Sequence, residues 1–157
     1  MASNRQTAKA ACAADGKTMP LVLKNCDYLN VFTSQWLHGD IAIRDGRIAG
    51  VGVYDGETEI DLTGKTCVPG MIDGHIHLES AMITPREFAR IAVAHGTAAV
   101  VADPHEIANV LGVAGVDYML EASSNLPLDV FLMAPSCVPS SPFDESGAVL
   151  NHEAIAP

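Results

Sequence analysis

Positive charge is scarce in this chain: 9 Lys and Arg stand against 19 Asp and Glu in 157 residues, for a net charge of −10. No Lys/Arg run or basic patch is present. This argues against the electrostatic grip by which proteins hold nucleic acid or an anionic membrane. Paired cysteines are also lacking. Cys12, Cys26, Cys67 and Cys137 are widely spaced with no C-x-x-C pair, so no disulfide framework is legible. Cys67 lies in an apolar, strand-like run that suits a buried reduced thiol, and a reducing, cytoplasmic compartment is expected. Residues 1–18 hold no apolar h-region, which argues against a secretory signal. No apolar run reaches the length of a membrane span. What remains is globular material, 48% hydrophobic, about the size of one ordinary domain.

Three stretches differ in texture. Residues 1–20 read as a flexible N-terminal extension. Residues 21–68 read as a small antiparallel β module. Its candidate strands are Leu21–Leu23, Tyr28–Phe32 and Glu57–Leu62, with a hairpin formed by Ile41–Arg44 and Arg47–Val51 around Asp45-Gly46. Asp-Gly favours such a turn because both central residues need positive φ. From residue 69 onward the rhythm becomes strand, helix, strand. Met71–His77 is the first strand. Thr84-Pro85-Arg86-Glu87 is a capping box with proline in the first helical position, and that helix stops near His95-Gly96. Thr97–Ala102 is a strand of small and β-branched residues, and Asp103-Pro104-His105-Glu106 reads as a loop because proline breaks the ladder. Val116, Met119 and Leu120 mark a second helix, closed by Asn125-Leu126-Pro127. Leu128–Ala134 is a third strand, followed by a proline-rich loop and a further helix start near Asn151.

Two successive βαβ units should be parallel and right-handed. The fold class is therefore α/β, the start of a (β/α)8 TIM-type barrel of about three βα units preceded by a small β module. A whole barrel needs about 250 residues, so the chain is expected to be an N-terminal piece of a longer protein, and marginal folding is expected of it.

Active groups in parallel α/β folds gather at the C-terminal strand ends, where the ligand-type residues of this chain fall. His75 and His77 alternate on one strand and share a face, so both imidazoles can bind one metal ion. Asp73, two residues earlier, is a candidate partner to orient them. Asp103, His105 and Glu106 follow the second strand; Ser136 and Cys137 follow the third. Plainer readings stand beside these. The histidine pair could lie on an exposed strand, the Asp103–Glu106 block could be an ordinary acidic turn, and Glu79-Ser80 could merely open a loop. His95 reads as a partner of the helix dipole, His38 as an exposed turn residue. Cys137 lacks any legible base and is not read as a nucleophile.

The stretch Val68-Pro69-Gly70-Met71-Ile72-Asp73-Gly74-His75-Ile76-His77 resembles the barrel entry of the amidohydrolase superfamily. The match continues through His75–Ser80, Thr84-Pro85, Glu87–Ala89, His95–Thr97, Val101–Gly112 and Pro135–Pro139, and over roughly residues 20–157 it resembles the bacterial-type adenine deaminases. The Asp-Pro-His-Glu-Ile-Ala-Asn and Pro-Ser-Cys-Val-Pro blocks set it apart from dihydroorotases, hydantoinases and N-acetylglucosamine-6-phosphate deacetylases. Ala81 departs from a serine common in that family. The resemblance implies hydrolysis of adenine to hypoxanthine and ammonia in purine salvage, with a small-molecule substrate and a cytoplasmic homo-oligomer. It implies His75 and His77 as ligands of a divalent metal, manganese or iron, in a binuclear centre, and Asp103, His105 and Glu106 as catalytic candidates for proton transfer or purine contact. Catalytic metal sites typically have three or more protein ligands, so this piece alone is expected to be inactive. A related cyclic amidase or deaminase, or a non-catalytic remnant, are the alternatives.

Overall fold

The structure, a computed structural model, describes residues 18–155 and the backbone of residues 6–7. Most of the expected extension, and Cys12 with it, lies outside the described residues, while Met19 and Pro20 already belong to a strand. Two compact units divide the chain, Met1–Pro69 and Gly70–Pro157.

The first unit is a six-stranded sheet of β1 (Gln6–Thr7), β2 (Met19–Asn30), β3 (Gln35–Arg44), β4 (Arg47–Gly52), β5 (Gly56–Asp61) and β6 (Thr66–Cys67). Leu21–Leu23 and Tyr28–Asn30, expected in separate strands, are parts of one long β2, while Val31 and Phe32, expected to continue the second, lie in the turn that follows. The pairing of β2 with β3 slips between Leu23 and Cys26, near Asn25, whose φ is 57°. This local irregularity is what divided the strand in the sequence pattern. The sheet is mixed, a second departure from expectation: β2 runs antiparallel to β3 but parallel to β5 and β6. The hairpin is as read, with φ of 52° at Asp45 and 70° at Gly46. His38 is not in a turn; it lies within β3, its Nδ1 3.0 Å from the Asp27 carboxylate on β2.

The second unit has three parallel strands in the order β7 (Met71–Ile76), β8 (Thr97–Ala102), β9 (Asp129–Leu132). Between β7 and β8 runs α1 (Pro85–Ala94), capped by the Thr84 hydroxyl, which accepts from the Glu87 N–H at 3.4 Å. The Glu87 carboxylate pairs with Arg90 at 2.7 Å, so only half of the capping box forms. Between β8 and β9 stand two helices, α2 (His105–Leu111) and α3 (Val113–Ala122), and α4 (His152–Ile155) follows later. His105 and Glu106 were expected in a loop, but they are the first turn of α2. Pro104 does end the ladder, and its missing N–H and restricted φ then suit helix entry.

One face of this sheet is covered. Val100, Ala102, Leu78, Leu128, Ala89 and Met119 form its buried cluster, with Ile76, Val130 and Leu132 packed against it. Gly115 lets α3 approach α2: a Cβ there would lie 2.8 Å from the Ile107 carbonyl oxygen. On the other face Ile72 and Phe131 are largely exposed.

Candidate metal centre

Ile76 packs toward the helices, so its neighbours in the alternation, His75 and His77, turn the other way. Their Nε2 atoms stand 3.2 Å apart with the rings edge to face. At a metal–nitrogen distance of about 2.1 Å, two imidazole nitrogens on one ion stand ~3.0–3.4 Å apart for angles of roughly 90–109°. The observed spacing fits a shared ion.

The tautomer is fixed by the backbone. A carbonyl oxygen only accepts, and His77 Nδ1 lies 2.9 Å from the carbonyl of Asp103. Nδ1 therefore carries the proton and Nε2 presents its lone pair to the cluster. Asp73 does not orient an imidazole: its carboxylate accepts from the backbone N–H of His75 at 3.1 Å. The orienting acceptor is main chain, two strands' ends meeting, and side-chain patterning carries no signal for it.

Asp103 brings the second strand end to the pair. One ligand atom each from His75, His77 and Asp103 lie within 4.8 Å of one another, and so do those of His77, His105 and Glu106. Asp103 Oδ2 is 3.2 Å from His105 Nδ1, while Oδ1 is buried with no hydrogen-bond partner among the described residues. A buried carboxylate oxygen without a donor is costly, and a bound cation would satisfy it. The residues present fit a divalent metal.

Two residues hold this arrangement that the sequence left open. The N-cap position of α2 is Pro104, which provides no side-chain cap. Glu79, from the short 3-10 turn Glu79–Ala81, supplies the acceptor instead: its Oε1 accepts from the Ile107 N–H at 3.3 Å. A carboxylate is well placed at a helix N-terminus. Ser80 donates to Glu106 Oε1 at 2.6 Å, and Asn109 Nδ2 donates to the His105 carbonyl at 2.9 Å. Glu79 and Ser80 thus tie the first strand's loop to the helix that carries His105 and Glu106.

The sequence profile of the amidohydrolase family matches residues 66–157, more than half of the chain. The chain belongs to the amidohydrolase family. It is 53% identical over 137 residues to the adenine deaminase of Clostridium acetobutylicum, covering 87% of this chain and 24% of that protein. It is 55% identical over 134 residues to adenine deaminase 2 of Carboxydothermus hydrogenoformans, again with 24% of that protein covered. The chain thus spans about a quarter of the length of the curated relatives it matches. Among solved structures, the D-hydantoinase of Thermus sp. superposes with a TM-score of 0.58 at 23% identity, over 72% of this chain and 27% of that one. A D-aminoacylase described for its binuclear metal centre gives 0.57 at 19% identity, over 74% of this chain and 30% of that one. These likenesses establish the amidohydrolase barrel as the fold to which the three βα units belong.

Proposed function

We propose that this amidohydrolase chain carries the first two strand ends of the active site of an adenine deaminase, which hydrolyses adenine to hypoxanthine and ammonia with a divalent metal, manganese or iron. The observation that carries the reading is the convergence of His75, His77 and Asp103, supported by about half identity to proteins named adenine deaminase. On this reading the protein is a cytoplasmic homo-oligomer of purine salvage. Its net charge of −10 suits a small neutral substrate rather than nucleic acid.

A divalent ion, when bound there, would supply Lewis acidity and lower the pKa of a water to near neutral, the chemistry that hydrolysis at C6 of the purine needs. His75 and His77 would hold the ion through Nε2, and the Asp103 carbonyl keeps the His77 lone pair turned inward. The Asp103 carboxylate faces the same place with one oxygen free of donors. His105, hydrogen-bonded to Asp103, and Glu106, steadied by Ser80, are the groups in reach to move a proton or to contact the purine edge.

Hypoxanthine and ammonia production from adenine by the product of the complete reading frame, loaded with manganese, tests the proposal. Hydantoin and dihydroorotate serve as comparison substrates. Turnover of a cyclic amide with none of adenine would overturn it.

A further inference from the structure

The third strand end brings a different kind of donor to this cluster. Cys137, in the loop after β9, places its Sγ within 4.8 Å of ligand atoms of both Asp103 and His105. The thiol is half-buried and free, and it makes no hydrogen bond among the described residues. Asp103 faces it with a carboxylate whose Oδ2 is already near His105 Nδ1 and whose Oδ1 has no donor. Sulfur, imidazole nitrogen and carboxylate oxygen together are a donor set that hard ions such as manganese do not favour, while zinc and cobalt(II) do.

We propose that Asp103, His105 and Cys137 form a soft-donor divalent-cation site for zinc-type ions, adjoining the His75/His77 pair. The site shares Asp103 with the group His75, His77 and Asp103, and His105 with the group His77, His105 and Glu106; the two carboxylate oxygens of Asp103 allow it to serve both. Binding deprotonates the thiol, the proton passes to buffer, and a metal–thiolate bond forms without any change of oxidation state. A consequence follows for metal selection. An ion seated on Cys137 engages His105 and Asp103, so a thiophilic metal competes for the groups that a harder metal leaves free. The inference stands on the geometry of the three side chains and does not depend on adenine being the substrate.

The test is X-ray absorption and near-ultraviolet spectroscopy of the whole chain loaded with cobalt(II) or zinc. A sulfur scatterer at about 2.3 Å and a thiolate-to-cobalt charge-transfer band are expected in the unmodified chain. The Cys137→Ser variant should lose both together with one equivalent of bound metal, and Cys26→Ser and Cys67→Ser should retain them. The His75→Ala/His77→Ala double variant should keep the sulfur signature, and a manganese-loaded chain should lack it. Absence of sulfur in the unmodified, zinc-loaded chain overturns the site without recourse to any variant. Persistence of the signature in Cys137→Ser, or its loss with the histidine pair, overturns the assignment equally.

Discussion

At the scale of single residues, the cluster rests on hydrogen bonds that select a tautomer and a rotamer. His77 is held by a main-chain carbonyl, so His77→Ala should abolish metal uptake at the histidine pair. His77→Gln, whose amide reaches the same neighbourhood, should recover little, since amide oxygen is a poor replacement for imidazole nitrogen toward such ions. Calorimetric titration with manganese measures both, and uptake by His77→Ala equal to the unmodified chain would contradict the assignment. Glu79 acts one step further out, as a cap for α2. Glu79→Ala should cost about 1 kcal/mol, read by chemical denaturation, whereas Glu79→Gln keeps an acceptor oxygen and should cost less. Equal losses for the two variants would show that charge or packing, not the cap, is what matters. The H-x-H spacing was enough to place both imidazoles on one face, since alternation is local. The orienting carbonyl and the Glu79 cap were illegible, because they join residues 26 and 28 positions apart.

At the scale of elements, the β sheet and the helix pair each depend on one close contact. Asp40 is buried on β3 and accepts from Lys24 Nζ at 2.7 Å, from the Asn25 N–H at 3.0 Å and from the Tyr54 N–H at 3.1 Å. Burial pushes its pKa up, but the hydrogen bonds from Lys24, Asn25 and Tyr54 outweigh it and hold the carboxyl below its ordinary value. Its hydrogen bond to Asp40 also raises the pKa of Lys24, more than burial lowers it. A depressed folded-state pKa means stability that is present above the ordinary carboxylate pKa and lost as pH falls through the folded value. The first unit should therefore lose stability below about pH 4, and Asp40→Asn should flatten that part of the profile while lowering stability at neutral pH. Thermal melts between acid and neutral pH check both. In the second unit, Gly115→Ala should destabilise by about 1–3 kcal/mol, because its Cβ would press on the Ile107 carbonyl at 2.8 Å and on the Ile107 side chain at 3.1 Å. A Gly115→Ala chain as stable as the parent would mean that α2 and α3 can separate freely. The strand and helix positions around these contacts followed from periodicity and capping. The extra helix α2 did not, since a proline after Asp103 reads equally as a chain break and as a helix entry.

At the scale of the whole chain, exposed apolar surface dominates. Ile72 and Phe131 are 69% and 58% exposed on one face of the second unit's sheet. Apolar exposure of this kind binds hydrophobic dyes and weakens cooperativity. The isolated chain should raise the fluorescence of anilinonaphthalene sulfonate at neutral pH and unfold over a broad thermal range. A sharp calorimetric transition without dye binding would show that this face is satisfied. No helix among the described residues is long and apolar enough to cross a membrane.

The amino-acid sequence by itself determined the period of the main elements, the parallel βαβ order and the placing of ligand-type residues at the strand ends, because these depend on near neighbours and on the fixed geometry of strands and helices. Tertiary structure alone decided which donors meet. Asp103 reaches His75 and His77 only because β8 lies beside β7, and the third strand end adds Cys137 to the same cluster. Distances between strand ends are set by sheet register and loop packing, and neither is written in the spacing of residues along the chain.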